Sequence, residues 1–289
     1  MKKSSALKGA AFAALLTLAF TACNSTANSV SKDPQTSAPP DSSATDPTNP
    51  KTDPTPGPAQ PGYSTAVMLF NGTGVSTSDW QSTEAIVKSQ GLSYQLVNSA
   101  QLNAMTLEQI ESFGLMIVPG GEGGTIAASL TSDTQLRVRQ AVRDYGMGYV
   151  GFCAGAWIAV GPEADTNGAA SYGLAVAKGD VLPSFDPPGN PTATIVNVSF
   201  PNGSIRNLVW WGGPSTPEWP HGVVARYDTG VPAISETFSG KGYVVISGPH
   251  PEAPDGWRAT AGNDADGLDY DIAISMFNAA LTKQPLSVF

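Results

Sequence analysis

The short apolar runs of this chain stop on glycines. TAVMLF (65–70) runs into NGTG, LMIVPGG (115–121) ends on a glycine pair, and GYVGFC (148–153) continues into AGAW. Runs this short and this rich in β-branched residues read as buried strands, and a glycine behind each allows a sharp turn off the sheet. Segments with helical spacing lie between them. SDWQSTEAIVKSQG is expected to be a helix with Ser78 as N-cap and Gly91 as the C′ residue, carrying Trp80, Ile86 and Val87 on one face. TLEQIESFG reads as a short helix closed by Gly114. DTQLRVRQAVRDYG (133–146) reads as a longer one, with Leu136, Val138 and Val142 on or near one face. YQLVN (94–98) adds a strand, and AGAWIAV continues the fourth strand as a helix. Alternation of this kind implies βαβ units and a parallel sheet, so the expected fold class is α/β. The later runs VAKGDVL, ATIVNVSF, NLVWWGG, GVVARYD, PAISETF and GYVVISG read as strands joined by short turns. Most are expected to be hairpins added to the sheet, while GYVVISG is apolar enough to return to the core. DYDIAISMFNAAL (269–281) reads as a closing helix.

The amino end sets the domain organisation. Lys2, Lys3 and Lys8 precede the apolar run AAFAALLTLAF, which is too short to span a bilayer stably and ends in small residues before Cys23. Residues 1–23 therefore read as a signal peptide that resembles a lipoprotein signal, with Thr21 and Ala22 before the cysteine and Phe20 in place of the usual Leu. An ordinary secretory signal is the competing reading. A lipidated Cys23 would tether an exported protein to a membrane by acyl chains, facing periplasm or exterior. Residues 24–62, rich in Ser, Thr, Pro and Asp, cannot bury enough surface to offset the entropy of ordering, and are expected to be a disordered linker. Residues 63–289 then form one domain. The chain carries 24 acidic and 15 basic side chains, a formal net charge of −9, with no Lys/Arg cluster in the domain. Nucleic acid is therefore not an expected partner.

Ligands of open α/β sheets collect beyond the carboxyl ends of the parallel strands. PGGEGG (119–124), GFCAGAW (151–157) and GPHPEAP (248–254) leave strands there. Gly151 and Gly155 flank Cys153 with the spacing of a nucleophile elbow, in which a strained turn projects the nucleophile from the sheet. The following helix start favours a thiolate. The competing readings are a tight turn around an inert thiol, or a redox-sensing thiol. The chain has two histidines. His221, beside prolines, reads as a loop residue. His250 follows YVVIS, at the edge where Cys153 should lie. Glu252 is two residues on and points the same way in an extended segment, so it can orient the ring. Gly120 and Gly121 offer backbone N–H groups to an oxyanion, with Ala154 as the second donor. Glu122 is a candidate substrate contact or a solvated loop acid. Trp210 and Trp211 are candidate pocket walls, at least one of them a packing residue. GGEGG lacks the Lys and Ser/Thr of a phosphate loop and no paired Cys/His ligand set occurs, so neither a metal nor a cofactor is expected.

With these residues in place the chain resembles the class I glutamine amidotransferase-like superfamily. More narrowly it resembles the domain at the amino end of some biotin–protein ligases. FNGTGVS, VPGG, GFCAGAW, VWWGG, VVARYD and SGPHPE match that family in order, across nearly all of 65–255. The resemblance implies a flavodoxin-like three-layer sandwich, with a mostly parallel sheet, and a triad of Cys153, His250 and Glu252. Glutaminase members carry Gln where this sequence has Trp157, a departure that argues against glutamine and leaves Trp157 as a candidate pocket residue. No GRGR-type biotinyl-adenylate loop occurs, so ligation of biotin is not expected. The expected activity is that of a Cys-His-Glu hydrolase acting on an amide, peptide or ester; the alternative is a binding module that keeps the site without turnover.

Overall fold

The computed structural model describes residues 62–289. The expected signal peptide, its Cys23 and the linker to residue 61 lie outside the described residues. In chain order the elements are β1 (Thr65–Phe70), α1 (Thr77–Ser89), β2 (Tyr94–Val97), α2 (Ser99–Ala104), α3 (Leu107–Glu111), β3 (Phe113–Val118), α4 (Gly123–Ala128) and α5 (Ser132–Arg143). Then come β4 (Gly148–Phe152), α6 (Ala154–Ala159), β5 (Val160–Gly161), β6 (Ala177–Lys178), β7 (Thr194–Ser199), β8 (Ile205–Trp210), β9 (Val223–Tyr227), β10 (Pro232–Ser239), β11 (Gly242–Ser247), α7 (Arg258–Ala261) and α8 (Tyr270–Thr282). Among the described residues no helix is long and apolar enough to cross a membrane.

One nine-stranded sheet runs β2-β1-β3-β4-β11-β10-β9-β7-β8. Its first five strands are parallel, in the flavodoxin-like order, with GYVVISG returning as the fifth. The pairs beyond β11 are antiparallel. The added hairpins therefore continue the main sheet rather than lying upon it. VAKGDVL is reduced to the short β6, paired with β5 in a separate ribbon.

Side-chain alternation along the central strands divides the core in two. Val67, Leu69, Leu115, Ile117 and Val150 pack against Ile86 and Val87 of α1 and against Met276 and Phe277 of α8. Met68, Phe70, Met116, Val118 and Tyr149 pack on the other face, against Leu102, Ile110, Ile126, Val138, Ile158 and their neighbours on α2 to α6. Strands buried on both faces read as continuous apolar runs, which is why β3, β4 and β11 were legible in the sequence.

Three local expectations differ. The N-cap of α1 is Ser76, and Ser78 lies inside the first turn. Gly114 sits within β3 instead of closing a helix, since Ser112 already ends α3. On α5 the buried set is Thr134, Val138, Arg139, Ala141 and Val142, so an arginine stands where the apolar face would continue, while Leu136 is half-buried.

Candidate active site

The turn between β4 and α6 is built by close approach. A Cβ on Gly151 would lie 2.5 Å from the Gly155 carbonyl, and one on Gly155 would lie 2.0 Å from the Val118 carbonyl oxygen of β3. Only hydrogens fit at both positions, so strand and helix meet with Cys153 caught at the bend. Its backbone is held at φ 44, ψ −101, a conformation that L residues adopt only when surrounding structure enforces it. The hydrogen bonds from Cys153 N–H to the Ser247 carbonyl of β11 (2.9 Å) and from Trp157 N–H to the Cys153 carbonyl (2.9 Å) supply that enforcement. The thiol is 3 % exposed and donates to the Trp211 carbonyl at 3.5 Å.

Cys153 and His250 line one cleft with Ser76, Ser78, Asp79, Gly121, Trp211 and Trp257. It has room for several water molecules. His250 Nδ1 lies 2.7 Å from Glu252 Oε1, while its Nε2 has no hydrogen-bond partner. Val209 of β8 accepts the His250 N–H at 2.8 Å, and Ser82 of α1 donates to the Glu252 carbonyl at 2.6 Å, which fixes the segment at both ends. Trp257 meets the ring edge-on at 5.0 Å.

Asp79 is a cleft residue that the sequence reading missed, as are Ser76 and Trp257. It sits in the first turn of α1, fully buried. Its Oδ2 accepts the Gly120 N–H at 3.0 Å and lies 3.4 Å from His250 Nδ1. Burial first, and the charge of Asp79 second, push Glu252 up to about 8. For His250, burial acts to lower the pKa, and Glu252, Cys153 and Asp79 outweigh it, so the ring is held well above the ordinary histidine range. Asp79, His250 and Glu252 each offer a donor atom within 4.8 Å of the others. The shared donor, His250 Nδ1, is already engaged by Glu252, so the trio forms a hydrogen-bonded group within the protein.

The remaining sequence candidates divide. Gly121, at φ 151, lines the cleft. Ala154 is the first residue of α6, where a helix N–H has no intrahelical acceptor. Gly120 departs from expectation, because its N–H is given to Asp79 and is not open to a ligand. Glu122 is the N-cap of α4, accepting from Gly124 and Thr125, and is neither a cleft contact nor a free loop acid. Trp157 lies half-buried on α6 and Trp210 is buried against Phe185, both away from the cleft lining. Trp211 lines the cleft, edge-on to Trp257 at 5.4 Å. His221 is an exposed turn residue.

Residues 65–163 match the family described as "Biotin-protein ligase, N terminal". Of the motifs read in order from the sequence, FNGTGVS, VPGG and GFCAGAW fall inside that match, and VWWGG, VVARYD and SGPHPE fall beyond it. No curated protein matches this chain. Among solved structures, a glutamine amidotransferase is 22 % identical, with 65 % of this chain and 90 % of that one covered, at a TM-score of 0.44. A cytoplasmic protein from Salmonella typhimurium is 10 % identical over 74 % of this chain and 98 % of its own, at 0.49. A glutamine amido transferase from Methylobacillus flagellatus is 13 % identical over 76 % and 91 %, at 0.44. At these identities and scores the likenesses concern shape alone.

Proposed function

We propose that this domain, whose residues 65–163 match the biotin–protein ligase N-terminal family and whose parallel strands run in the flavodoxin-like order, is a cysteine hydrolase acting on an amide, peptide or ester. The observation that carries the reading is the strained elbow at Cys153 opening into the same cleft as His250, whose other nitrogen meets Glu252 at 2.7 Å. In this reaction the Cys153 thiolate adds to the substrate carbonyl. The oxyanion that forms is held by the N–H groups of Ala154 and Gly121. His250 gives its Nε2 proton to the departing amine or alkoxide as the C–N or C–O bond breaks, leaving a thioester on Cys153. Water then adds to the thioester as Nε2 takes its proton, the C–S bond breaks, and the acid leaves with the Cys153 thiolate restored beside the imidazolium. Glu252 keeps the ring in the productive orientation throughout. Apart from the His250 ring, the cleft lining holds two serines, two tryptophans and the Asp79 carboxylate, with no lysine or arginine, which favours a small, uncharged acyl group over one bearing a carboxylate. The reading includes an exported, membrane-tethered setting, supported by the basic start, the apolar run and Cys23.

The test is alkylation of Cys153 in the full chain from pH 5 to 9, followed by hydrolysis of a panel of simple amides, peptides and activated esters. Fast alkylation well below the free-thiol pKa of about 8.5, lost in His250→Ala, together with turnover lost in Cys153→Ala, is the expected result. Slow and identical alkylation in wild type and His250→Ala overturns the reading. A second reading, a binding module without turnover, is favoured by one observation: the thiol is nearly buried and already donates to Trp211. Saturable binding of a small ligand that Cys153→Ala retains, with no hydrolysis of it by wild type, selects this second reading.

A further inference from the structure

The proposed mechanism gives Glu252 a place and leaves a second buried carboxylate unused. Asp79 stands on α1, far in sequence from His250, yet reaches its ring. Its Oδ2 makes two contacts at once, 3.0 Å to the Gly120 N–H and 3.4 Å to His250 Nδ1. Its Oδ1 has no partner. A carboxylate buried this deeply is costly unless opposite charge or hydrogen bonds compensate it, and among the described residues the cation paired with it is an imidazolium at His250. Gly120 completes the arrangement. A Cβ there would lie 2.4 Å from Asp79 Oδ2 and 2.6 Å from His250 Cε1, so the glycine lets ring, carboxylate and turn close on one another.

We propose that Asp79 is a positioning residue for His250, a second carboxylate that stabilises the charged ring and ties it to the Gly120–Gly121 turn beside Cys153. The inference rests on the hydrolase reading of the same site. The ionisable groups facing the ring are Asp79 from α1, Glu252 from its own segment and Cys153 from the elbow. Charge on Asp79 favours imidazolium, and imidazolium paired with thiolate is the reactive form of a Cys–His couple. A peg that merely held the turn would act through its shape and not through its charge.

Asp79→Asn keeps the shape, since its amide oxygen still accepts from Gly120, and removes the charge. An opposite charge at this range moves a titration by at least about one unit. In the full chain, Asp79→Asn is therefore expected to lower the midpoint of the His250 ring titration, followed by ¹⁵N shifts, by about one unit. A titration superimposable on that of wild type overturns the inference and leaves the hydrolase reading standing. Cys153 alkylation as slow in wild type as in His250→Ala overturns both. A second measurement does not depend on altering Asp79. The chain has only two histidines, so ¹⁵N shifts of His250 are assignable in Glu252→Gln. If Asp79 clamps the ring, His250 in that variant remains protonated at pH 7. If it is neutral there, Glu252 alone had held the charge, and the inference fails even where Asp79→Asn does not fold.

Discussion

The elbow shows how much of this site is decided by single atoms. Gly151 and Gly155 leave room only for hydrogen, and Cys153 carries the backbone strain that results. Gly155→Ala drives a methyl into the Val118 carbonyl and is expected to cost about 3 kcal/mol, at the upper end of ordinary overpacking, read as a lowered urea midpoint. Cys153→Gly is expected to be about 1 kcal/mol more stable than Cys153→Ala, because glycine accepts φ 44 without strain; equal midpoints would remove the strain argument. The same residues give stability a pH dependence. Glu252 is raised to about 8 from an ordinary 4.5, and His250 is raised above 6.5, so both hold a proton more tightly folded than unfolded. Their contribution is full at low pH. It is lost for Glu252 between about 4.5 and 8, and for His250 from about 6.5 upward through its folded value. The unfolding midpoint of wild type should therefore fall from pH 5 to pH 8 more steeply than that of Glu252→Gln. Equal slopes would mean that Glu252 titrates normally in the folded state.

Among the elements, α5 carries an unusual load. Its Arg139 is fully buried and donates to the carbonyls of Glu163, Thr166, Gly168 and Leu174, pinning the long connection after α6. Arg139→Ala strips those carbonyls of their donor and is expected to cost about 2 kcal/mol, with faster proteolysis between 162 and 174. Arg139→Lys should recover only part of the loss, because an ammonium cannot span the four acceptors. A wild-type digestion rate in Arg139→Ala would show that the connection is held elsewhere. The helical periodicity of α5 was legible in the sequence. The arginine was not, because its partners come from a segment with no regular pattern of its own. The short helices α2 and α4 were also unread. The first has a capping-box signal, Asn98 with Gln101, that was available locally. The second begins on glycines and is capped by Glu122, a residue outside the usual N-cap set.

At the scale of the molecule, the antiparallel half of the sheet completes the site. β8 is the last strand of the sheet order, yet Val209 pairs with His250, just beyond the end of β11. The extension must therefore curl back toward the parallel strands, and it brings Trp211 over Cys153 as it does so. The family match stops at residue 163, before β11, His250 and Glu252. A fragment covering 63–163 would leave β4, buried along its whole length, as an open edge beside the missing β11. It is expected to aggregate, where the full chain elutes as a discrete species. A monomeric, cooperatively unfolding fragment would contradict this dependence of the parallel half on the extension.

The sequence by itself determined the strands, their parallel core, the Cys153 elbow and the pairing of His250 with Glu252. Each is a local pattern: an apolar run, a glycine on either side of a turn, a separation of two along an extended segment. Only the tertiary structure decided that Asp79 joins them, that Gly120 gives its N–H to that aspartate, and that Trp211 and Trp257 wall the cleft while Trp157 and Trp210 do not. Asp79 reaches Gly120 across 41 residues and its partners share no spacing with it. Such contacts depend on where the sheet brings elements together, and no periodicity along the chain records that.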